Sequence, residues 1–325
     1  MKLHDKEEDF RALIALTSEK FGIADVLVEK DYWVTKALKN LASSPLVGKV
    51  VFKGGTSLSK AHKLIQRFSE DIDLAVIVED GMKDAAIKAL LKAVEKECSS
   101  GFKEKDGDLR TSKGSKFRKT VWEYPRIKLE GQYGDAGEYI LFEVNSFTVP
   151  EPHEAISINS LITEFLLIKE DQKVIDEFEL NSFKMPVLRT ERTFIEKISA
   201  LTKGCYIYEI EPYDVLRKNI RHFYDVTKLN AKCGPTLFSN RKELIDLLSR
   251  VKGDDLKMDP DMKWAGKPYK NAKIFIDFDG VWEKISSAYT GPFKEMLYGD
   301  SVLPSEDEVR EAILAIGRAL NEHEE

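Results

Sequence analysis

Cysteine is scarce in this chain: three in 325 residues, at positions 98, 205 and 233. An odd number without metal-ligand spacing argues against a disulfide-stapled scaffold and against a thiolate metal site, and fits a reducing compartment. Long apolar runs are missing as well. No stretch approaches the ~20 residues that a membrane span needs. The segment from Met1 to Phe10 is charged and lacks the apolar region of a secretory signal, so a cytoplasmic location and no membrane partner are expected. None of the five histidines has a second His or Cys at zinc spacing. GxSxG, HExxH and GxxxxGK(S/T) are all absent, which argues against hydrolase, zincin and P-loop chemistry. An excess of positive charge is also lacking. With a net charge of -6 the whole chain is no electrostatic glue for nucleic acid, and a polyanion would need a local basic patch.

What is present is an ordinary globular composition, 42% hydrophobic and 33% charged, in a chain long enough for two subdomains. Apolar residues at helical spacing predict amphipathic helices over residues 5–21 and 26–41. Val47 to Lys53 reads as a buried strand running into Gly54-Gly55, and Ser57 to Ile65 as the helix that follows. A second strand is predicted from Ile72 to Val78, then a helix from Met82 to Glu97. Lys113 to Glu130 and Glu138 to Val149 read as a hairpin with a long loop. A helix after Pro150 and Pro152, a strand near Phe183 to Leu188, and helices at residues 191–201, 213–230, 241–251 and 305–320 complete the reading. Gly253 to Asn271, rich in Asp, Lys, Pro and Gly, reads as an exposed excursion.

The informative core reads FKGGTSLSKAHKLIQRFSEDIDLAV. Two carboxylates one residue apart on a strand project from the same face, so Asp71 and Asp73 can grip the same cations while Ile72 enters the core. Such a pair suits Mg²⁺, a hard ion that takes carboxylate oxygens and accepts substrate phosphates at its remaining positions. Gly54-Gly55 lets the backbone approach a phosphate closely, and Thr56 and Ser57 bring hydroxyl donors to the helix start. Each feature has a plainer reading: an exposed DxD pair, a simple turn, a helix cap. Arg67 and Ser69, just before the acidic strand, are further phosphate candidates. Lys53 is another, or else an exposed strand end. His62 and His222 read as structural histidines, and the basic residues Arg217, Lys218, Arg221 and Lys228 either as a surface that tracks an RNA backbone or, more commonly, as a solvated helix face.

A strand ending in GG, a helix, and a second strand opening on DxD resemble the signature of the DNA polymerase β-like nucleotidyltransferases. Five segments in order, VEKDYW (Val28 to Trp33), FKGGTSLSK (Phe52 to Lys60), RFSEDIDL (Arg67 to Leu74), RTFIEKISAL (Arg192 to Leu201) and RHFYDVTKL (Arg221 to Leu229), resemble the AbiEii/AbiGii toxin family. They span roughly two thirds of the chain, and nothing after Leu229 adds to the resemblance. The resemblance implies an α+β (mixed α/β) fold: a nucleotidyltransferase mixed sheet flanked by helices, with a mainly helical C-terminal region. It divides the chain into a nucleotidyltransferase domain with N-terminal helices over residues 1–150 and a helical domain over 151–325 that completes the nucleotide site.

By the same resemblance a third carboxylate should follow on a later strand. Glu143 in YILFEVNSF is the candidate metal ligand, with Glu130 in RIKLEGQ as the alternative and a solvent-facing strand glutamate as the plain reading. Lys197 should contact nucleotide phosphates, or else snorkel along its helix. Asp225 should complete the site, or else pair with Arg221 four residues earlier. The implied reaction is Mg²⁺-dependent transfer of NMP from an NTP to an acceptor hydroxyl, with the tRNA 3′ end as acceptor. The implied setting is a toxin–antitoxin and phage-defence system with a separately encoded winged-helix antitoxin. Nucleotidyl or phosphoryl transfer to a protein or small molecule, and a non-catalytic NTP-binding module, stay open as alternatives.

Overall fold

The computed structural model describes residues 2–69, 71–127, 129, 138–207 and 212–324. The chain divides into two compact units. One comprises Met1–Ser146, His153–Leu188 and Tyr298–Ser301; the other comprises Phe147–Pro152, Arg189–Leu297 and Val302–Glu325.

In the first unit, helices α1 (Glu7–Phe21) and α2 (Asp25–Ala42) precede strand β1 (Val50–Lys53), helix α3 (Gly54–Lys60), strand β2 (Asp71–Val76) and helix α4 (Asp84–Cys98). Strands β3 (Lys103–Glu104), β4 (Ser112–Lys113), β5 (Phe117–Glu123), β6 (Ile140–Asn145) and β7 (His153–Ile158) follow, then α5 (Leu161–Ile168), α6 (Gln172–Glu177) and β8 (Phe183–Leu188). The strands form one mixed sheet in the order β3-β5-β6-β2-β1-β8-β7, with β4 paired to β5. The pairs β1–β2, β5–β6 and β7–β8 are antiparallel, whereas β2–β6 and β1–β8 are parallel. The fold is thus the mixed α/β class expected, with β1 and β2 at its centre. Central strands are buried on both faces, which explains the unbroken apolar run Val50-Val51-Phe52. On β2, by contrast, Ile72, Leu74 and Val76 are fully buried while Asp71 and Asp73 alternate away from them. The apolar stripe of α2, including Val28, Trp33, Leu38 and Leu41, enters the same core as Phe52, Ile72 and Phe142.

The second unit is helical: α7 (Thr190–Ile207), α8 (Pro212–Lys218), α9 (Arg221–Ser239), α10 (Arg241–Met258), α11 (Lys273–Ile276), α12 (Phe278–Thr290) and α13 (Glu306–His323). Buried Arg192 on α7 is paired with Asp254 on α10, and the second Asp254 oxygen accepts from the backbone N–H of Val149 at 3.1 Å. This explains the arginine that opens the RTFIEKISAL segment. Ser305 and Glu308 form a capping box at the start of α13, whose Val309, Ile313, Ile316 and Leu320 are buried at helical spacing.

Several expectations need correction. The segment after Pro152 begins as a strand, β7, before the helix α5, because it pairs with β8 along its whole length. The helix expected over 213–230 is two helices, α8 and α9. Gly253 to Asn271 is not an exposed excursion: α10 continues to Met258, and Trp264 and Tyr269 are 1% and 0% exposed. The Tyr269 hydroxyl lies 2.9 Å from Ser199 Oγ, so the aromatics fasten this segment to the helices despite its polar composition. The three cysteines are free and buried. Among the described residues no helix is long and apolar enough to cross a membrane.

Candidate active site

The glycine pair and the acidic pair meet at one point. Gly54 has φ +78°, in the left-handed region that glycine enters without steric cost. A Cβ built on it would lie 2.0 Å from Asp73 Oδ2, so the Asp73 carboxylate occupies the space that a side chain at Gly54 would need. Backbone pairing brings this about, because Lys53 on β1 is in antiparallel register with Asp73 on β2. The glycines are also part of α3 itself, whose first residue is Gly54, rather than a turn ahead of it. Similarly, a Cβ on Gly55 would lie 2.7 Å from Arg67 Nη2 and 3.0 Å from Ser69 Oγ. Arg67 is 1% exposed, which holds its guanidinium against the bend.

Thr56 and Ser57 are fully buried. Thr56 Oγ1 donates to the Asp71 carbonyl at 2.6 Å and lies 3.0 Å from Ser69 Oγ. Ser57 Oγ donates to the Gly54 carbonyl at 2.9 Å. These hydroxyls therefore fasten the bend to the start of β2, and a phosphate arriving there would meet the first-turn backbone N–H groups, which have no intrahelical acceptor.

Glu143 lies beside Asp73 in the parallel β2–β6 register, so the two side chains share a face. Lys119 on β5 is the next neighbour in that row, and its Nζ is 2.5 Å from Glu143 Oε1. Across four strands the row thus reads Lys53, Asp73, Glu143, Lys119, with two cations flanking two carboxylates. On the opposite face of β5, Arg118 and Thr120 bond Glu95 of α4, with Arg118 Nη2 2.6 Å and Thr120 Oγ1 2.8 Å from its oxygens. That buried network sets which way Lys119 points. Among the described residues, no three His, Cys, Asp or Glu side chains stand together as a metal site. Glu130, the alternative third carboxylate, lies outside the described residues.

In the helical unit, Lys197 on α7 and Asp225 on α9 come together, Nζ to Oδ2 at 3.4 Å. Lys197 is 11% exposed and Asp225 0%, so the lysine ends on a buried carboxylate rather than in water. His222, one turn before Asp225, completes the group, with its Nδ1 3.4 Å from Lys197 Nζ and 3.7 Å from Asp225 Oδ2. Burial, with Lys197 beside it, pushes the His222 imidazole down to about 3 against the pull of Asp225. The ring is therefore neutral near pH 7, and since an ammonium only donates, Nδ1 accepts from Lys197. His62 is structural, its Nε2 lying 2.8 Å from the Leu188 carbonyl oxygen.

Three partners were not legible as such in the sequence: Lys119, His222 beside Lys197, and the buried pair of Asp31 with Lys60. The last two had a signal, since Asp31 and Lys60 sit in the family-like segments VEKDYW and FKGGTSLSK, and Lys197 and His222 in RTFIEKISAL and RHFYDVTKL, with nothing to say that they touch.

No match appears among the curated proteins. Two solved structures are similar over nearly the whole chain at 16% identity. One is MenT4, a nucleotidyltransferase toxin from Mycobacterium tuberculosis H37Rv, with 97% of this chain and 99% of that chain covered and a TM-score of 0.47. The other is JHP933 from Helicobacter pylori, with 92% and 91% covered and a TM-score of 0.42. The family model described as "Nucleotidyl transferase AbiEii toxin, Type IV TA system" matches residues 36–311, most of the chain, including the glycine bend, both aspartates, Lys197 and Asp225. On that match the chain belongs to the AbiEii family of nucleotidyltransferase toxins of type IV toxin–antitoxin systems.

Proposed function

We propose that this nucleotidyltransferase moves a nucleoside monophosphate from an NTP to a hydroxyl at the tRNA 3′ end, as the Mg²⁺-dependent toxin of a phage-defence operon in the cytoplasm. Family membership carries an NTP substrate and an antitoxin partner; the finer proposal is that the antitoxin is a separately encoded winged-helix protein. The observation that carries the chemistry is the Asp73 carboxylate lying in the space left by the missing Gly54 side chain. It puts an anionic metal ligand against the backbone that a triphosphate would approach.

The donor set fits Mg²⁺. This ion is typically held by one or two carboxylates with substrate phosphates and waters filling the rest, and Asp71 and Asp73 share one strand face. Bound Mg²⁺ would polarise the α-phosphate and steady the leaving pyrophosphate. The remaining work belongs to the chain. Gly54 keeps the space for Asp73, Thr56 ties the bend to the Asp71 backbone, and Arg67 and Ser69 face the bend with donors for phosphate oxygens. Glu143 is the proposed third carboxylate, released to the metal by exchange of its Lys119 partner. Lys197 is the proposed phosphate contact and Asp225 the group that keeps it oriented, on the strength of their motifs and their ion pair. In the transfer itself the acceptor oxygen bonds to the α-phosphorus, the α–β P–O bond breaks, pyrophosphate leaves and the hydroxyl proton passes to solvent.

The deciding experiment incubates the protein with α- or γ-labelled ATP, CTP, GTP or UTP and purified tRNA, total RNA or lysate protein. Label should pass from the α position to tRNA, require Mg²⁺ and stop with EDTA. The Asp71→Asn, Asp73→Asn double variant should lose at least ~10²-fold in rate while melting as the parent does. Label moving only from the γ position, or a folded double variant with parental activity, would overturn the reading.

A further inference from the structure

The VEKDYW segment accounts for three consecutive charged residues on α2, and the helix sends each to a different neighbour. Glu29 Oε1 accepts from the Ile127 backbone N–H at 2.7 Å, and Lys30 Nζ lies 5.8 Å from the centre of the Phe68 ring. Asp31 uses both oxygens: Oδ1 is 2.5 Å from Lys60 Nζ, and Oδ2 accepts from the Leu161 N–H, at the start of α5, at 2.8 Å. The Asp31 and Lys60 side chains are 12% and 6% exposed, so the ion pair sits in the protein rather than on it. Both residues line an 830 Å³ cavity together with Arg67 and Ser69, the two residues that abut Gly55.

Lys60 is the last residue of α3, whose first is Gly54. A helix of seven residues has too few internal hydrogen bonds to hold its own pose and depends on tertiary anchors. Its leading end is tied by Thr56 to the Asp71 carbonyl, and its trailing end by Lys60 to Asp31, with His62 bonding the Leu188 carbonyl just beyond. A tilt of so short a helix about its Thr56 anchor swings Gly54, two residues ahead of that anchor, relative to the Asp73 carboxylate, which already fills the space a Cβ on Gly54 would need.

We infer that the buried Asp31–Lys60 pair is a positioning device for nucleotidyl transfer: Asp31, through Lys60, sets the pose of α3 and with it the fit between the glycine bend and Asp73. The inference deepens the function proposed above and rests on its assignment of Asp71 and Asp73. Removing one member of a buried ion pair strands the other charge, whereas neutralising both is far better tolerated. The informative protein is therefore the double variant Asp31→Asn, Lys60→Met, compared with each single variant, with Asp31→Glu, which keeps both charges on a longer arm, and with the Lys63→Ala control, which removes the more exposed ion pair to Glu164.

Melting, hydrogen–deuterium exchange over residues 54–60, and steady-state kinetics with NTP are read on each. In the double variant the melting temperature should return toward that of the parent. Exchange over 54–60 should nonetheless rise at least tenfold while α4 exchanges as before, and KM for the NTP should rise about tenfold with kcat changed less than threefold. Loss of folded protein alone would lower kcat and leave KM in place. Asp31→Glu should fall between parent and double variant, and Lys63→Ala should match the parent. Parental exchange and parental KM in the double variant, or in Asp31→Glu should the double not fold, would overturn the inference. An Asp71→Asn, Asp73→Asn protein that stays active would instead overturn the metal assignment, while the exchange result still decides whether Asp31 holds the bend.

Discussion

At the scale of single residues, space and charge make opposite demands that substitutions can separate. Gly54 and Gly81 both have positive φ, +78° and +80°, but a Cβ on Gly81 meets nothing within 4 Å whereas one on Gly54 meets Asp73. Gly81→Ala should therefore cost only the left-handed backbone term, about 1 kcal/mol. Gly54→Ala should cost about 2–4 kcal/mol by urea denaturation, overpacking being added to strain, and should abolish transfer. His222 sets a pH dependence. Its folded pKa is held near 3, below the ordinary 6.5, so the unfolded chain binds the extra proton. The contribution is intact above about pH 6.5 and is lost as pH falls from there toward 3. The parent should accordingly lose on the order of 1–2 kcal/mol more than His222→Gln between pH 7 and pH 5, measured by chemical denaturation at each pH. Equal pH slopes would mean that the ring is protonated in the fold. Neither effect could be read from the chain: Gly-Gly announces a turn but not what the turn touches, and a lone histidine carries no sign of a lysine 25 positions away.

At the scale of elements, local patterns were legible and pairings were not. The strand carrying DxD, the helix before the hairpin and the strand near residues 183–188 all follow from alternation or helical spacing within a few residues. β7 escaped because it lies at the sheet edge, with half its residues exposed, and owes its form to hydrogen bonds with β8, whose paired residues lie 25 to 35 positions on. β5 reverses the usual sense of alternation, burying Arg118 and Thr120 where apolar residues are the rule, because Glu95 waits on α4. Glu95→Gln should leave the Arg118 charge buried without its counter-charge and cost about 3 kcal/mol in urea. Since the same network orients β5, the Lys119–Glu143 contact on its other face should loosen with it. A loss below 0.5 kcal/mol would mean that water already compensates Arg118.

At the scale of the whole molecule, a net charge of -6 limits what long-range electrostatics can contribute. Arbitrary single-stranded RNA should bind no tighter than ~10⁻⁵ M at physiological salt by fluorescence anisotropy, so selectivity for an acceptor must come from local contacts. Substantially tighter binding would reveal a concentrated basic surface. The sequence by itself determined whatever depends on a few neighbouring residues: that Asp71 and Asp73 share a face, that a helix follows the first buried strand at the glycine pair, and, through its ordered motifs, which family the chain belongs to. Only the tertiary structure decided that Asp73 fills the gap at Gly54, that Glu143 stands beside it held by Lys119, and that Asp31 reaches Lys60 and Lys197 reaches Asp225. The division has a physical cause. Strand and helix periodicities are properties of adjacent backbone dihedrals, whereas register between strands and pairing of buried charges are selected by the packing of residues far apart in the chain, where burial makes an unmatched charge too costly to keep.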